Sequence, residues 1–186
     1  IQFEKNEFVK GIELIKSIYD HIKNLKVLRI DYQPFSSGEK LEMIIQPYLL
    51  KEYNNRWFLI GFNEELNKMS HLALDRILRI HKTGSCFSYP NDFDAEKYFK
   101  HTIGITIPEN PESTLILLNF SPERAPYIIT KPIHPSQKII KNDKKGLTIQ
   151  MKLIPNKEFM SLLLSFGPDV EIIEPQSLRR EINEIL

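Results

Sequence analysis

Arginine and aromatic residues are concentrated between residues 29 and 79, and their types suit the binding of phosphates and bases. They are Arg29, Tyr32, Tyr48, Tyr53, Arg56, Trp57, Phe58, Arg76 and Arg79. A guanidinium group binds a phosphate through two parallel hydrogen bonds, and an aromatic ring stacks on a base. The set therefore suits single-stranded nucleic acid or a nucleotide ligand. The alternative is packing, because Trp57 and Phe58 can also be buried in a core or between domains.

The sequence carries no motif of an enzyme or of a metal site. Its seven glycines are too dispersed to form a phosphate-binding loop or a dinucleotide fingerprint. Its five histidines include no pair at helical metal-ligand spacing. The one cysteine, Cys86, excludes an internal disulfide and fits a reducing cytoplasm. No serine lies in a nucleophile elbow, and the carboxylates are scattered. We therefore expect a protein that is not an enzyme, with no catalytic residue, metal or cofactor.

Length and composition are those of an ordinary globular protein of one domain or two small ones. The chain has 186 residues, 41% hydrophobic and 26% charged, and a net charge of +1. Residues 121–157 hold eight basic residues against two acidic ones, a bias typical of a solvated face or of a basic surface. No apolar run approaches the roughly 20 residues that cross a bilayer. The chain begins at Ile1 without Met or a leader, so we expect a cytoplasmic piece of a longer protein.

The first half of the chain predicts one helix and a small barrel. Apolar residues recur every three or four positions over residues 7–24, which indicates an amphipathic helix. Alternating or β-rich segments then predict strands over residues 27–32, 41–46, 48–53, 56–62 and 71–80, the last with a bend near Asp75. Closing five short, twisted strands into a barrel removes their unpaired edges.

The second half predicts a ferredoxin-like α/β sandwich. Residues 114–120, 137–141, 147–153 and 170–173 read as strands, with helices opened by Ser121 and Pro122, over residues 157–166, and from Ser177. Ser121 suits an N-cap, Pro126 shortens or kinks the first of these helices, and Gly167 suits a left-handed residue. Composition places one domain in residues 1–83, a linker in 84–111 and a second domain in 112–186.

Three strings in the first domain carry a family resemblance. They are Pro47-Tyr48-Leu49-Leu50, Asn55-Arg56-Trp57-Phe58-Leu59-Ile60-Gly61-Phe62 and Leu74-Asp75-Arg76-Ile77. They resemble the WYL domain over residues 10–79, with Phe58 in place of the tyrosine that helps to name it. Three further strings are similar to the C-terminal extension (WCX) that follows WYL. They are His134-Pro135-Ser136-Gln137, Ser165-Phe166-Gly167-Pro168-Asp169-Val170 and Glu174-Pro175 with Leu178-Arg179.

The resemblance implies a bacterial transcription regulator with an Sm-like or SH3-like barrel that senses a ligand. An N-terminal winged helix-turn-helix, absent from this sequence, would bind promoter DNA, and the extension would support a homodimer. In the family the ligand is nucleic acid, notably single-stranded DNA. The implied contact residues are Tyr32, Arg56, Trp57, Phe58 and Arg76, with His71 beside them and Arg29 added from the same strand as Tyr32. The alternatives are a constitutive dimerisation module without ligand and an accessory domain of a helicase or nuclease system.

Alternation along the central strand divides these residues between packing and binding. Trp57 and Leu59 share one face, and Arg56 and Phe58 share the other. We expect Arg56 and Arg76 to contact ligand and Trp57 to contribute more to packing. Ser70 and Ala73 stand where many WYL domains have a basic residue, and Phe58 lacks a hydroxyl. Fewer donors leave a small nucleotide open as the ligand, and Asp75 can either position a neighbouring arginine or withhold it from ligand.

Overall fold

The computed structural model describes residues 10–185 and divides after Ala95 into two compact units. Each unit has its own antiparallel sheet, of five strands in the first and four in the second. Each also buries its own apolar cluster. The α+β class predicted from the sequence is therefore confirmed.

The first unit consists of a helix followed by a five-stranded sheet. Helix α1 (Ile15–Lys23) follows a short 3-10 turn, Ile12–Leu14. Residues 7–9 of the predicted helix lie outside the described residues. The strands are β1 (Lys26–Tyr32), β2 (Leu41–Tyr53), β3 (Arg56–Asn63), β4 (Lys68–Ala73) and β5 (Ile77–Cys86). Their order in the sheet is β4-β3-β2-β1-β5.

Strand β2 is continuous where the sequence predicts two strands. Pro47 lies opposite Gly61 and Leu49 opposite Ile60, so Tyr48 is the extra residue of a bulge. The two predicted strands lie on either side of Pro47, and proline has no N–H to donate to a ladder. The bulge accommodates Pro47 instead. A Cβ on Gly61 would collide with the carbonyl oxygen of Gln46, which shows how closely β2 and β3 approach there.

The segment predicted as one bent strand over residues 71–80 forms two strands. Strands β4 and β5 are separated by the 3-10 turn Leu74–Arg76. Leu74 is buried and anchors this turn in the core. Among the described residues β4 and β5 are the two end strands of the sheet and share no ladder. Closure into a barrel therefore remains a prediction.

The core of the first unit lies on one face of the sheet, beneath α1. Its buried members are Ile18, Leu28, Ile30, Tyr32, Ile45, Leu59, Leu72, Leu74 and Ile77. Trp57 packs against this cluster and is half-buried. A smaller cluster of Val27, Tyr48 and Phe87 forms separately. Burial of these large apolar side chains supplies most of the free energy that stabilises the unit.

The second unit has the strand order expected of a ferredoxin-like fold. Helix α2 (Ala95–Phe99) begins at the division between the units. The other elements are β6 (Thr114–Phe120), α3 (Ala125–Thr130), β7 (Lys138–Asp143), β8 (Gly146–Leu153), α4 (Lys157–Ser165), β9 (Val170–Glu174) and α5 (Gln176–Ile185). The sheet order β7-β8-β6-β9 follows from two split βαβ units.

Two local predictions for the second unit have different outcomes. Helix α3 begins at Ala125, later than the predicted start, because residues 121–124 form a turn in which Ser121 Oγ accepts from the Arg124 N–H at 3.2 Å. Pro126 lies in the first turn of α3, where its missing N–H has no helical partner to lose. Gly167 has a φ of 54°, the left-handed conformation predicted for it.

Candidate functional site

The turn between β4 and β5 brings together the residues with the clearest binding chemistry. We call Tyr32, Phe35, Arg56, Asp75 and Arg76 the Arg76 cluster. The Gln33 N–H donates to the Arg76 carbonyl oxygen at 3.0 Å, which fixes the end of β1 against this turn. Gly11, with a φ of 91°, packs so closely on the turn that a Cβ would collide with the Leu74 backbone. The backbone that carries Asp75 and Arg76 is therefore held from two sides.

Arg76 lies between an exposed ring and a buried one. Its guanidinium carbon is 4.3 Å from the centroid of the Phe35 ring, a cation–π distance. The Phe35 side chain is 70% exposed, so the ring has a free face. Tyr32 is buried, and its hydroxyl interacts with the Arg76 side chain and the Ala73 backbone. Burial raises the pKa of Tyr32 above its ordinary value, so the hydroxyl stays neutral at physiological pH.

Arg56 is paired with Asp75 at the edge of the same cluster. Arg56 Nε lies 3.3 Å from Asp75 Oδ2, and the two side chains are 44% and 12% exposed. Asp75 therefore does pair with an arginine, as the sequence allowed. An exposed guanidinium keeps donors directed to solvent, because five N–H groups cannot all reach one carboxylate oxygen.

The cluster contains polar atoms whose hydrogen-bonding capacity is not filled. Arg76 Nε and Asp75 Oδ1 are buried and have no hydrogen-bond partner among the described residues. A buried donor without a partner is unfavourable by about 1–3 kcal/mol, so a conformation of the turn that exposes this donor to a ligand would gain a hydrogen bond. A ligand with phosphate oxygens and a flat ring would match the donors of Arg56 and Arg76 and the free face of Phe35.

Phe58 and His71 lie on one face of neighbouring strands, and Trp57 lies on the other. Phe58 is opposite Ala73, and His71 is opposite Ile60, two residues further along β3. Residues directly opposite share a face of the sheet, and so do residues two apart. Trp57 packs with Leu59 on the core face, which matches the division predicted from alternation. Phe58 and His71 are half-buried.

Arg29 is not part of the Arg76 cluster. It lies on the face of β1 opposite to Tyr32, 3.9 Å from Glu42 Oε1. Its neighbour Asp31 is buried, with Lys40 Nζ at 3.0 Å and His81 Nε2 at 3.2 Å. The hydrogen bond from Lys40 is the largest cause that lowers the pKa of Asp31 below its ordinary value, and His81 adds to it. The basic side chains around Asp31 are thus paired with acidic ones, and they attract an anionic ligand less than the Arg76 cluster does.

Family models match both halves of the chain. The WYL domain model matches residues 13–82, and the WCX domain model matches residues 112–186. The chain is a WYL domain followed by a WCX domain. This confirms the resemblance seen in the sequence, and it places the whole Arg76 cluster within the WYL domain. No curated protein matches the chain by sequence.

The solved structures similar to the WYL–WCX chain include those of a proteasome accessory factor and a CRISPR Cas-related protein. Proteasome accessory factor B/C (PafBC) of Arthrobacter aurescens is 17% identical, with 97% of this chain and 27% of that chain covered and a TM-score of 0.42. A CRISPR Cas-related protein is 19% identical, with 93% and 48% covered and a TM-score of 0.53. This chain therefore spans less than half of either protein. The second likeness shows a shared fold.

Phe35 is the member of the Arg76 cluster that sequence reasoning missed in the WYL domain. It lies outside the strands, in the turn after Pro34, so no periodicity marks it. An exposed phenylalanine in a Pro-Phe-Ser-Ser-Gly turn is the one signal available, because such turns normally carry polar residues. Tyr48, in contrast, is accounted for by packing. Its ring centroid lies 5.0 Å from that of Phe93 and 5.7 Å from that of Phe87.

The basic segment of residues 121–157 includes α3, β7 and β8, and only β7 is exposed along its whole length. Every residue of β7 is exposed, and β7 lies at the edge of its sheet. Lys141 Nζ pairs with Asp143 Oδ2 at 2.7 Å, which reduces the local charge. Within residues 10–185 no group of three or more His, Cys, Asp or Glu side chains could hold a metal ion. Nor is any helix in that range long and apolar enough to cross a membrane.

Proposed function

We propose that this chain is the ligand-sensing and dimerisation region of a cytoplasmic bacterial transcription regulator and has no enzymatic activity. Its WYL domain binds single-stranded nucleic acid or a nucleotide through the Arg76 cluster. Its WCX domain supports a homodimer, and promoter DNA is bound by an N-terminal helix-turn-helix outside this sequence. The family assignment supports the regulatory role, and the Arg76 cluster supports the class of ligand.

The observation that carries this proposal is the environment of Arg76. Its guanidinium covers an exposed Phe35 ring at 4.3 Å, while its buried Nε has no hydrogen-bond partner among the described residues. A structural arginine of a folded core normally has its donors satisfied. Arg76 thus has a buried donor without a partner in the described part of the chain, and it lies beside an exposed aromatic ring and a second arginine. This combination suits a nucleotide, because the arginines can bind its phosphate and the ring can stack on its base.

Binding would change the partners of the two arginines. A phosphate that reaches Arg56 competes with Asp75, and a phosphate at Arg76 reaches the buried Nε donor only if the turn moves. A ligand shifts a regulator between two arrangements only through its different affinities for them. We therefore expect the turn Leu74–Arg76 to be the element that responds to ligand, since both arginine contacts pass through it.

A constitutive dimerisation module without ligand is the main alternative, and an accessory domain of a helicase or nuclease system is another. The accessory role has support only at the level of fold, from the CRISPR Cas-related neighbour. The Arg76 Nε donor, which has no hydrogen-bond partner within residues 10–185, favours a sensor, because dimerisation alone does not require such a donor. The binding measurement below separates it from a sensor.

The test is a fluorescence-anisotropy titration of the chain with labelled single-stranded oligonucleotides at several salt concentrations. Arg76→Gln should weaken binding by about tenfold or more, since a charged hydrogen bond to phosphate is lost. Arg124→Gln is the matched control, because Arg124 also lies over an aromatic ring and beside an aspartate, in the WCX domain. Absence of binding at low salt, or equal losses in both variants, would refute the proposed site.

A further inference from the structure

A cavity of about 440 Å³ lies within the WCX domain, at the edge of its sheet. It is bordered by the end of α4, the turn that follows it, strand β9 and helix α5, and it is open to solvent on one side. Aliphatic side chains form its wall: Leu163, Leu164, Val170, Ile172 and Ile182. Its volume lies within the range of small-molecule binding sites, which are usually apolar clefts with a few polar groups.

The cavity exists because α5 is anchored at one end. Leu178 is the buried residue of α5, while Ile182, one turn later on the same face, is only half-buried. The helix therefore covers the edge of the sheet without filling the space beneath its second turn. Strand β9 pairs with β6 on one side only among the described residues. Its other side presents backbone N–H and C=O groups that a ligand can reach.

The mouth of the cavity carries one positive and one negative charge. Arg179 donates from a terminal nitrogen to Glu171 Oε1 at 3.0 Å, and the two side chains are 45% and 57% exposed. An exposed pair of this kind contributes little to stability, so a ligand can separate it at small cost. Asn183 adds an amide to the same rim. The polar groups are thus at the opening, and the apolar ones are inside.

We propose that this cavity binds a free α-amino acid with a large apolar side chain. The ligand carboxylate would pair with Arg179, and its ammonium would pair with Glu171. Its side chain would pack against the half-buried wall residues Leu164, Val170 and Ile182. A simple carboxylic acid would leave Glu171 unpaired beside its own negative charge, and a simple amine would do the same to Arg179. Only a zwitterion satisfies both charges. The WCX domain then has a ligand site separate from the Arg76 cluster.

The experiment is a ¹⁵N NMR titration of the chain with L-phenylalanine, compared with 3-phenylpropionate and phenethylamine. Saturable shifts are expected at the amides of Leu164, Ile172 and Asn183, with a Kd on the order of 1 mM or tighter. Each analogue, which lacks one charge, should bind about tenfold or more weakly. No saturable shift at these amides would overturn the proposal, and so would 3-phenylpropionate or phenethylamine binding as tightly as phenylalanine.

Two pairs of variants complete the test. Arg179→Gln and Glu171→Gln should each weaken phenylalanine binding by about tenfold, since each removes one charged contact. Arg180→Gln and Glu174→Gln are the matched controls, because both residues are exposed and neither lines the cavity. Phenylalanine binding that is unchanged in the first pair would refute the assigned contacts. Oligonucleotide binding by the same variants should equal that of the original chain, so the two sites can be tested independently.

Discussion

Replacement of Asp75 by asparagine should tighten the binding of single-stranded oligonucleotides. Asp75 Oδ2 lies 3.3 Å from Arg56 Nε, and the Asp75 side chain is only 12% exposed. Asp75 therefore competes with a ligand phosphate for the Arg56 guanidinium. The Asp75→Asn variant keeps the shape of the side chain and removes its charge. The free energy of oligonucleotide binding should therefore become more favourable by the cost of separating Arg56 from Asp75.

The size of this gain follows from the exposure of the two side chains. Pairs exposed to solvent contribute about 0–1 kcal/mol, and Arg56 is 44% exposed, so the upper part of that range applies to this half-buried pair. About 1 kcal/mol corresponds to roughly fivefold in Kd. Anisotropy at low salt, where screening is weakest, measures such a change directly.

The matched control for this prediction is Asp169→Asn in the other unit. Asp169 also lies 3.3 Å from an arginine Nε, that of Arg124, but it is outside the Arg76 cluster. Its replacement should leave oligonucleotide binding unchanged. Weaker binding by Asp75→Asn would show that Asp75 positions Arg56 for ligand, and equal binding would show that Asp75 has no effect on ligand. Either result would contradict the competition described above.

Three further predictions concern stability. Leu59→Ala removes a fully buried side chain of β3 and should lower the free energy of unfolding by about 3 kcal/mol in urea titrations. Gly11→Ala should lower both stability and oligonucleotide affinity, because its Cβ would meet the Leu74 backbone. Gly84→Ala, in β5 with open space around it and no positive φ, should affect stability less and binding not at all. The pKa of Asp31 lies below its unfolded value near 3.8, so its stabilising effect is full above that pH and is lost as the pH falls through the lower folded value. Thermal melts of Asp31→Asn should therefore show a flatter loss of stability in acid than those of the original chain.

Periodicity was enough to predict the strands β1 and β3, which carry Tyr32 and Arg56. The alternation around Leu28 and Ile30 placed Tyr32 on the core face, and the structure buries it there. The same rule divided Trp57 from Arg56 correctly. These are local properties of a strand, because successive side chains point to opposite faces wherever the strand lies.

Contacts between distant segments could not be predicted in this way. Phe35 meets Arg76 only because the end of β1 is tied to the turn before β5, and nothing in either segment marks that pairing. The continuity of β2 through Pro47 depends on a bulge opposite Gly61, which only the partner strand reveals. The cavity beneath α5 exists because the Ile182 side chain does not fill the space there. The sequence does not predict how well a side chain fills the space around it.

The most direct test of the sensing role is to map where an oligonucleotide binds. A ¹⁵N NMR titration of the chain with a short single-stranded oligonucleotide reports each backbone amide separately. We predict that the largest shifts occur at Tyr32, Phe35, Arg56 and Arg76, in slow or intermediate exchange. The affinity measured from these shifts should fall as salt is added. Shifts confined to the basic residues of β7, or no shifts at low salt, would contradict the assignment of ligand binding to the Arg76 cluster.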